Sequence, residues 1–427
     1  MPDIRDVEII APNFKRRLSG VTSTIVQLIP CQIRLGMRIA TLGPGLPEGL
    51  AKLRWSQLLG LWRPPPRRRR RVWHARRNNE MAVGILLRHL LRMPLKLIFT
   101  SAAQRRHTAY TKWLIRRMDA VIATSDRSGS FLEVPHTVIQ HGVDLSLFHP
   151  PATAEDGIAA TGLPGRYLVG CFGRVRHQKG TDLFVRAMIE LLPQHPEWTA
   201  VVSGRVTAEH IAFADKLKAD VAAAGLSDRI LFLGEVPDIK VWYRRLTLYV
   251  APSRNEGFGL TPLEAMASRT AVVASDAGAY AELIAEGETG SVVAAGDSEA
   301  LTRAIAPYIA DPGLAVAHGE NALRHVRANF ALEKEANAIG AIYDRLLGDN
   351  RRSRKRNGPS DNGPLQRLPT IVLIIPPAAV RRPERFLLSG RPGPWRAARY
   401  PVRFPSVPRR SSPPHCRRGW SAPGIPT

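Results

Sequence analysis

Hydrophobic positions along the chain fall into short apolar runs separated by longer stretches of helical periodicity, the pattern of βαβ units and parallel sheets. Strands are predicted at VEIIAP from Val7, RIATLG from Arg38, VWHAR from Val72, LKLIFTS from Leu95, AVIATS from Ala120 and TVIQHGV from Thr137. Helical segments such as Thr108 to Met118 separate most of them. A second series follows: YLVGCFGRV from Tyr167, TAVVSGR from Thr199, RILFLGEV from Arg229, LTLYVAPS from Leu246, TAVVASD from Thr270 and TGSVVAAGD from Thr289. Its intervening helices are expected at Gly180 to Leu192, Ala208 to Ala224 and Pro262 to Ser268. Each series makes one open α/β domain.

The stretch HPPATAEDGIAATGLPG, residues 149–165, mixes proline with small and polar residues and marks the boundary. The expected organisation is a first domain at 1–155, a second at 165–326 and closing helices at 327–349. From Arg351 onward the pattern stops: 15 of the last 77 residues are proline and 17 are basic. The segment 350–427 is therefore predicted to be a disordered tail.

This division changes the meaning of the net charge of +25. The tail holds 17 basic against 2 acidic residues, and the run RPPPRRRRRVWHARR (Arg63 to Arg77) holds eight arginines and no acid. The remainder is near neutral, and no helix-turn-helix, zinc-finger or RNP signature is visible, so no specific nucleic-acid partner is expected. A basic nucleic-acid-binding protein is the competing class, with nonspecific, salt-sensitive binding to the tail as a side property. Cys31, Cys171 and Cys416 stand far apart with no CxxC spacing, which excludes a disulfide framework and a cysteine zinc site. No apolar stretch reaches the roughly 18 to 20 residues of a membrane span. The start, MPDIRDVEII, lacks the apolar core of a signal peptide. A cytoplasmic protein, peripheral to a membrane, is expected. The run Arg63 to Arg77, with Trp62 and Trp73 alongside, would meet an anionic surface at roughly 1 kcal/mol per basic residue; a solvated loop is the plainer reading.

Three segments carry chemistry. In CFGRVRHQKG, Cys171 to Gly180, an apolar strand runs into a glycine, two cations and a helix start. Free backbone N–H groups and the helix dipole favour an anion there, and Arg174 and Lys179 add full charges. A solvated basic turn accounts for this segment alone equally well. In RNEGFGLTPLEAMA, from Arg254, Glu256 and Glu264 are separated by seven residues, with Glu256 in a loop and Glu264 one turn inside a helix that Pro262 opens. Both carboxylates should face one crevice, with Gly257 and Gly259 allowing close backbone approach. The third, RRLSGVTST from Arg16, again joins a glycine loop to a helix and is equally well a structural turn.

GRVRHQKG followed by EGFGLTPLE resembles the family 4 glycosyltransferases of GT-B fold, over most of residues 5–348. The stretches RVWHARRNNEM, LLRMPLKLIFTSAAQRRHTAYTKWLIRRMDAVIATS and FLEVPHTVIQHGVD resemble the lipopolysaccharide core mannosyltransferases of Gram-negative bacteria more closely. The resemblance implies an α/β protein of GT-B architecture, two Rossmann-like parallel-sheet domains facing across a cleft, the first on the acceptor side and the second binding the donor. It implies a retaining, metal-independent transfer of mannose from GDP-mannose, without cofactor, to the Kdo region of the lipopolysaccharide inner core. Implied partners are the nucleotide sugar, a lipopolysaccharide core or lipid acceptor and the anionic face of the inner membrane.

Residue by residue, the resemblance puts Arg174 and Lys179 on the donor diphosphate, Glu256 near the sugar hydroxyls and Glu264 on the ribose. The donor site would further include Gly20, Gly173, Gly257, Phe258, Gly259 and Leu260, with the GEVP turn from Gly234 facing the base. Many relatives carry a histidine after the strand matching LKLIFTS, where this chain has Thr100 and Ser101. The nearest histidine, His107, is the candidate for that catalytic role and is also readable as an ordinary surface residue. Another nucleotide-sugar donor, or an epimerase or phosphorylase on the same architecture, is the alternative.

Overall fold

A computed structural model describes residues 2–16 and 20–348. The tail expected at 350–427 lies outside them, as do Arg17, Leu18 and Ser19 of the RRLSGVTST segment.

The first lobe is built on seven parallel strands: β1 (Ile9–Pro12), β2 (Ile39–Leu42), β3 (Lys52–Leu53), β4 (Arg71–Ala75), β5 (Leu95–Ser101), β6 (Ala120–Ala123) and β7 (Thr137–Val138). Their order is β3-β2-β1-β4-β5-β6-β7. Helices α1 (Gly20–Arg34), α2 (Asn78–Ile85), α3 (Ala109–Ile115) and α4 (Asp126–Gly129) connect them. The central strands are covered on both faces, so apolar residues point both ways and the strands read as near-continuous hydrophobic runs. Ile9, Val72, Ile98 and Ile122 pack on the side of α1. Ile10, Trp73, Leu97 and Val121 pack on the opposite side with Met81 of α2 and Leu114 of α3.

The second lobe has six parallel strands, β8 (Tyr167–Phe172), β9 (Trp198–Ser203), β10 (Ile230–Gly234), β11 (Leu248–Ala251), β12 (Ala271–Ser275) and β13 (Gly290–Val293), in the order β10-β9-β8-β11-β12-β13. Its helices are α5 (Thr181–Leu191), α6 (Ile211–Ala223), α7 (Ile239–Arg245), α8 (Thr261–Ala267), α9 (Tyr280–Leu283), α10 (Ser298–Ala310) and α11 (Pro312–Asn329). The last helix, α12 (Leu332–Leu347), returns to the first lobe. Its residues Leu332, Ala336, Ile339, Tyr343 and Leu347 follow helical spacing and enter the core beside α1. The return is pinned where Val143 N donates to Phe330 O at 2.8 Å and Leu332 N donates to Val143 O at 3.1 Å.

Both sheets reverse strand order beside their first strand, at β1/β4 and at β8/β11. Crossovers diverge to opposite faces there, which leaves an open crevice beyond the carboxyl ends of the two strands. The loops at these four strand ends are therefore where a ligand is accommodated.

The arginine run differs from its sequence reading. A third of it, Arg71–Ala75, is the central strand β4, and Arg71 is only 1% exposed. Its guanidinium donates to Val7 O at 2.9 Å, to Ile4 O at 3.0 Å and to Arg63 O, so carbonyl dipoles replace water around the buried charge. Trp73, read as standing beside a membrane-facing loop, is fully buried and donates from Nε1 to Glu80 O at 2.9 Å. Arg68 binds Glu8 at 3.2 Å and Asp344 at 2.8 Å. The run TVIQHGV forms only the two-residue β7 before continuing as the connection toward the second lobe.

Candidate active site

Two loops meet at the β8/β11 crevice. After Phe172 the chain turns through Gly173 and a short 3₁₀ turn, His177–Lys179, into α5. Gly180 sits at φ +69°, and a Cβ there would lie 1.9 Å from Pro252 O, so a glycine is required where this loop crosses the end of β11. The second loop runs from Ser253 to Leu260. Arg254 ties the two together: its N–H donates to Gln178 O at 2.9 Å and its guanidinium to His177 O at 2.7 Å. The same guanidinium grips Asp182 with bonds of 2.8 and 2.7 Å. Burial alone would raise the Asp182 pKa, but the Arg254 bonds and charge outweigh it and the carboxyl falls below its usual value.

Inside this frame Lys179 Nζ donates to Glu256 Oε1 at 2.6 Å and to Oε2 at 3.1 Å, each side chain being 18% exposed. Burial pulls the Lys179 pKa down, yet Tyr280 and Glu256 reverse that and hold the ammonium charged. Glu264 Oε2 accepts from Tyr243 Oη at 2.9 Å. Its pKa is raised because burial outweighs the Tyr243 bond and the charge of Lys179. One ammonium thus stands within electrostatic reach of both carboxylates that the motif spacing directed to one crevice. Arg174 is exposed and has no ion-pair or hydrogen-bond partner among the described residues. Arg176, which the motif reading passed over, lies beside Lys179 with its Nε buried and unpartnered.

The remaining candidates take different places. Gly173 brackets Lys179, whose Cε would meet a Cβ there at 3.7 Å. Gly259, at φ +88°, lies where a Cβ would come within 2.2 Å of Tyr280. Gly257 O accepts from Gln104 Nε2 of the first lobe at 2.8 Å, which brings the loop after β5 against the Ser253–Leu260 loop. Phe258 is buried, its ring centroid 4.8 Å from that of His141. His141 Nδ1 in turn lies 2.7 Å from Glu335, whose other oxygen accepts from Gly142 N at 2.8 Å. Leu260 is half-buried and precedes α8. Gly20 opens α1, exposed, with open space around it. The tight backbone approach in this lobe is made instead by Gly43 and Gly45 against Asn13, Lys15 and Arg16.

His107 is not brought to the cluster. It lines a small cavity with Lys112, Phe131, Leu132 and Glu133, where burial and the charges of Arg105 and Lys112 lower its pKa. A cavity of about 180 Å³ beside Arg244, Arg245 and Arg269 lies at the amino ends of β11 and β12, away from the crevice, with Arg244 held by Asp156 and Arg269 by Glu320. Sequence reading missed Arg254 and Asp182, whose pairing spans two loops, and the tyrosines that flank the carboxylates. Opposite charges at adjoining loop edges were the available signal for the first two.

An anion-seeking crevice with two paired carboxylates suits a ligand that carries both phosphates and hydroxyls. Residues 156–325 match the family model described as glycosyl transferases group 1. The chain is 92% identical over 351 residues to the lipopolysaccharide core biosynthesis mannosyltransferase LpcC of Rhizobium leguminosarum bv. viciae, covering 82% of this chain and 100% of the relative. It belongs to the lipopolysaccharide core mannosyltransferases.

LpsB of Rhizobium meliloti (strain 1021), carrying the same description, is 58% identical over 350 residues, 81% of this chain and 100% of the relative. The mannosyltransferase has the GT-B fold. Anabaena Alr3699/HepE, solved with UDP and glucose, superposes with a TM-score of 0.66 at 19% identity, over 80% of this chain and 100% of that one. Sucrose-phosphate synthase of Thermosynechococcus elongatus gives 0.65 at 22% identity, over 79% and 98%.

The raised pKa of Glu264 has a consequence for the mannosyltransferase. The folded state holds this proton more tightly than the unfolded chain does, so stability declines as pH climbs above the usual carboxylate value of 4.5. Glu264→Gln keeps an acceptor for Tyr243 and removes the charge. Its unfolding temperature at pH 7 should exceed that of the wild type, with the gap closing as pH falls below 4.5.

Proposed function

We propose that this mannosyltransferase moves mannose from GDP-mannose to a Kdo residue of the lipopolysaccharide inner core, with retention of configuration, without a metal ion, at the cytoplasmic face of the inner membrane. The observation that carries the donor side is the Lys179–Glu256 pair, 2.6 Å long, at the β8/β11 crevice, on whose β8 loop the exposed Arg174 has no partner among the described residues. When a diphosphate enters, Lys179 exchanges a carboxylate for phosphate oxygens, and Glu256 is freed to accept from sugar hydroxyls. Glu264 accepts from the ribose hydroxyls.

In the transfer, the bond from the anomeric carbon to the phosphate oxygen breaks and the acceptor hydroxyl forms its bond on the same face. The acceptor proton passes to the departing phosphate. Negative charge grows on that phosphate as the bond breaks, and Arg174 and Lys179, already in position, stabilise it more than the ground state. These two cations supply the charge that a metal ion supplies elsewhere, which is the support for a metal-independent reaction. The contacts between Gln104 and Gly257 and between Arg127 and Asp276, the latter 2.7 Å, bridge the two lobes.

Attachment to the membrane fits a different surface from the arginine run. Trp55, Leu59 and Trp62 of the 3₁₀ helix Trp55–Trp62, together with Leu90 and Leu91, are exposed, and Trp62 Nε1 donates to Leu91 O at 2.7 Å to join the two segments. Arg54, Arg63 and Arg92 adjoin these residues in the chain. Among the described residues no helix is long and apolar enough to cross a membrane.

Arg174→Ala, Lys179→Ala and Glu256→Ala should each lower transfer by about 10²- to 10³-fold, the range seen when one preorganised charge stabiliser is removed. Unfolding should be little changed in Arg174→Ala, while Lys179→Ala and Glu256→Ala, each of which leaves a largely buried charge unpaired, should also lower the unfolding temperature. Full activity in any of them removes that residue from the site. EDTA should leave the rate unaltered; a loss restored by Mg²⁺ would overturn the metal-free reaction. In a separate assay, the double variant Leu59→Glu, Leu90→Glu should bind anionic phospholipid vesicles more than tenfold less tightly, because each exposed leucine contributes roughly 1.5 to 3 kcal/mol when it leaves water. Unchanged flotation with vesicles would remove this face from the membrane contact.

A further inference from the structure

The first lobe has its own switch point at β1/β4, and the side chains there form a second constellation. Arg76 and Arg77 follow the central strand β4. Arg77 is committed: it binds Glu80 at 2.7 Å, Asn13 Oδ1 at 2.8 Å and Thr22 Oγ1 at 3.1 Å. Arg76 is anchored through its backbone N–H to Glu80 Oε2 at 2.8 Å, but its half-exposed guanidinium has no carboxylate partner among the described residues. Its one hydrogen bond runs to His74 O at 3.4 Å.

His74 lies fully buried between Tyr343 and Thr100. Nδ1 is 2.7 Å from Tyr343 Oη and Nε2 is 2.7 Å from Thr100 Oγ1. Burial and the nearby charge of Arg76 keep the imidazole neutral, and burial pushes the Tyr343 pKa to about 12, so its phenol stays protonated. That phenolic proton needs an acceptor. The buried Gln32 side chain also lies near Tyr343, but its amide atoms make no hydrogen bond among the described residues, and Nδ1 at 2.7 Å takes the proton, so the imidazole proton sits on Nε2 and is donated to Thr100. With its oxygen already accepting, the Thr100 hydroxyl has its own proton free to donate outward. Thr100 is half-buried, near the end of β5, two residues before Ala102, and the loop that follows meets Gly257 through Gln104.

We propose that Arg76 and Thr100 form the acceptor subsite, a pocket for the carboxylate of an acidic sugar, with His74 and Tyr343 as positioning residues that aim the Thr100 hydroxyl. A guanidinium fork plus one oriented hydroxyl matches the planar, two-oxygen shape of a carboxylate. The placement sets the acidic group at the β1/β4 crevice, across from the donor loops at β8/β11. The proposal rests on the reading of Kdo as the acceptor.

The test uses the full chain with GDP present, and free Kdo and its carboxyl-reduced alcohol as probes, read by saturation-transfer NMR. The wild type should bind the acid at least about tenfold more tightly than the alcohol, the value of a charge-assisted pair. Arg76→Ala should lose that preference, Arg76→Lys should keep part of it, Thr100→Ser should retain it and Thr100→Val should weaken it. In transfer assays, Arg76→Ala should raise the acceptor KM at least tenfold and leave the donor KM unchanged. Absence of Kdo binding by the wild type, equal binding of acid and alcohol, or a preference that survives Arg76→Ala overturns the proposal. Displacement of the acid by equimolar inorganic phosphate also overturns it, in favour of a phosphate site. Failure of GDP-mannose to support transfer, with Kdo binding still dependent on Arg76, refutes the donor reading and leaves the subsite standing.

Discussion

The Lys179–Glu256 ion pair is the interaction around which the second lobe is arranged. An ammonium and a carboxylate largely withdrawn from water are tolerated only where partners replace the lost hydration, and here each partner arrives from a different strand end. Lys179 comes from the loop after β8 and Glu256 from the loop after β11, and these strands are neighbours because the sheet reverses its order between them. Arg254 and Asp182 clamp the loops, while Gly180 and Gly259 let backbone and ring approach within distances no side chain would allow. In the proposed function, the pair serves as a preorganised charge whose partner a diphosphate exchanges, as electrostatic stabilisation of a departing phosphate requires.

The first lobe repeats the architecture with different chemistry. Its switch point holds Arg76, Thr100 and the buried His74, and it faces the second lobe through contacts that gather at the same edge. Glu282 accepts from the backbone N–H groups of Asp126 and Arg127, each at 2.9 Å, and from Gln140 at 3.1 Å. Helix α12 crosses back to lend Tyr343 to the His74 chain and Glu335 to His141, so the element that closes the fold also fixes groups at the cleft. Lobe association and site geometry therefore depend on the same residues.

Much of this was legible in the sequence because buried parallel strands have no polar face and announce themselves as apolar runs; β5 covers its run residue for residue, and β8 starts at the predicted Tyr167 and ends three residues early, at Phe172. The glycine and cation pattern of CFGRVRHQKG and the spacing of Glu256 and Glu264 were readable because each lies within one short segment at the end of a strand, β8 or β11, that meets the switch point. Non-local pairing was not readable. Arg254 and Asp182 lie 72 positions apart, and His74 finds Tyr343 269 positions away. The arginine run misled for a related reason: the three carbonyls that accept from Arg71 come from Ile4, Val7 and Arg63, two of them more than sixty residues distant, so a buried strand looked like a solvated loop. His107 attracted notice by proximity in the chain to Thr100, but β5 ends before it and the chain carries it to a separate cavity beside Glu133.

The central claim, that the donor's diphosphate takes over Lys179 from Glu256 at the β8/β11 crevice, is tested most directly by a crystal structure of the mannosyltransferase with GDP-mannose bound. The account predicts phosphate oxygens within hydrogen-bond distance of Arg174 and Lys179, the ribose hydroxyls on Glu264, and Glu256 turned to the mannose. A diphosphate bound elsewhere, with the 2.6 Å Lys179–Glu256 contact intact, would contradict it.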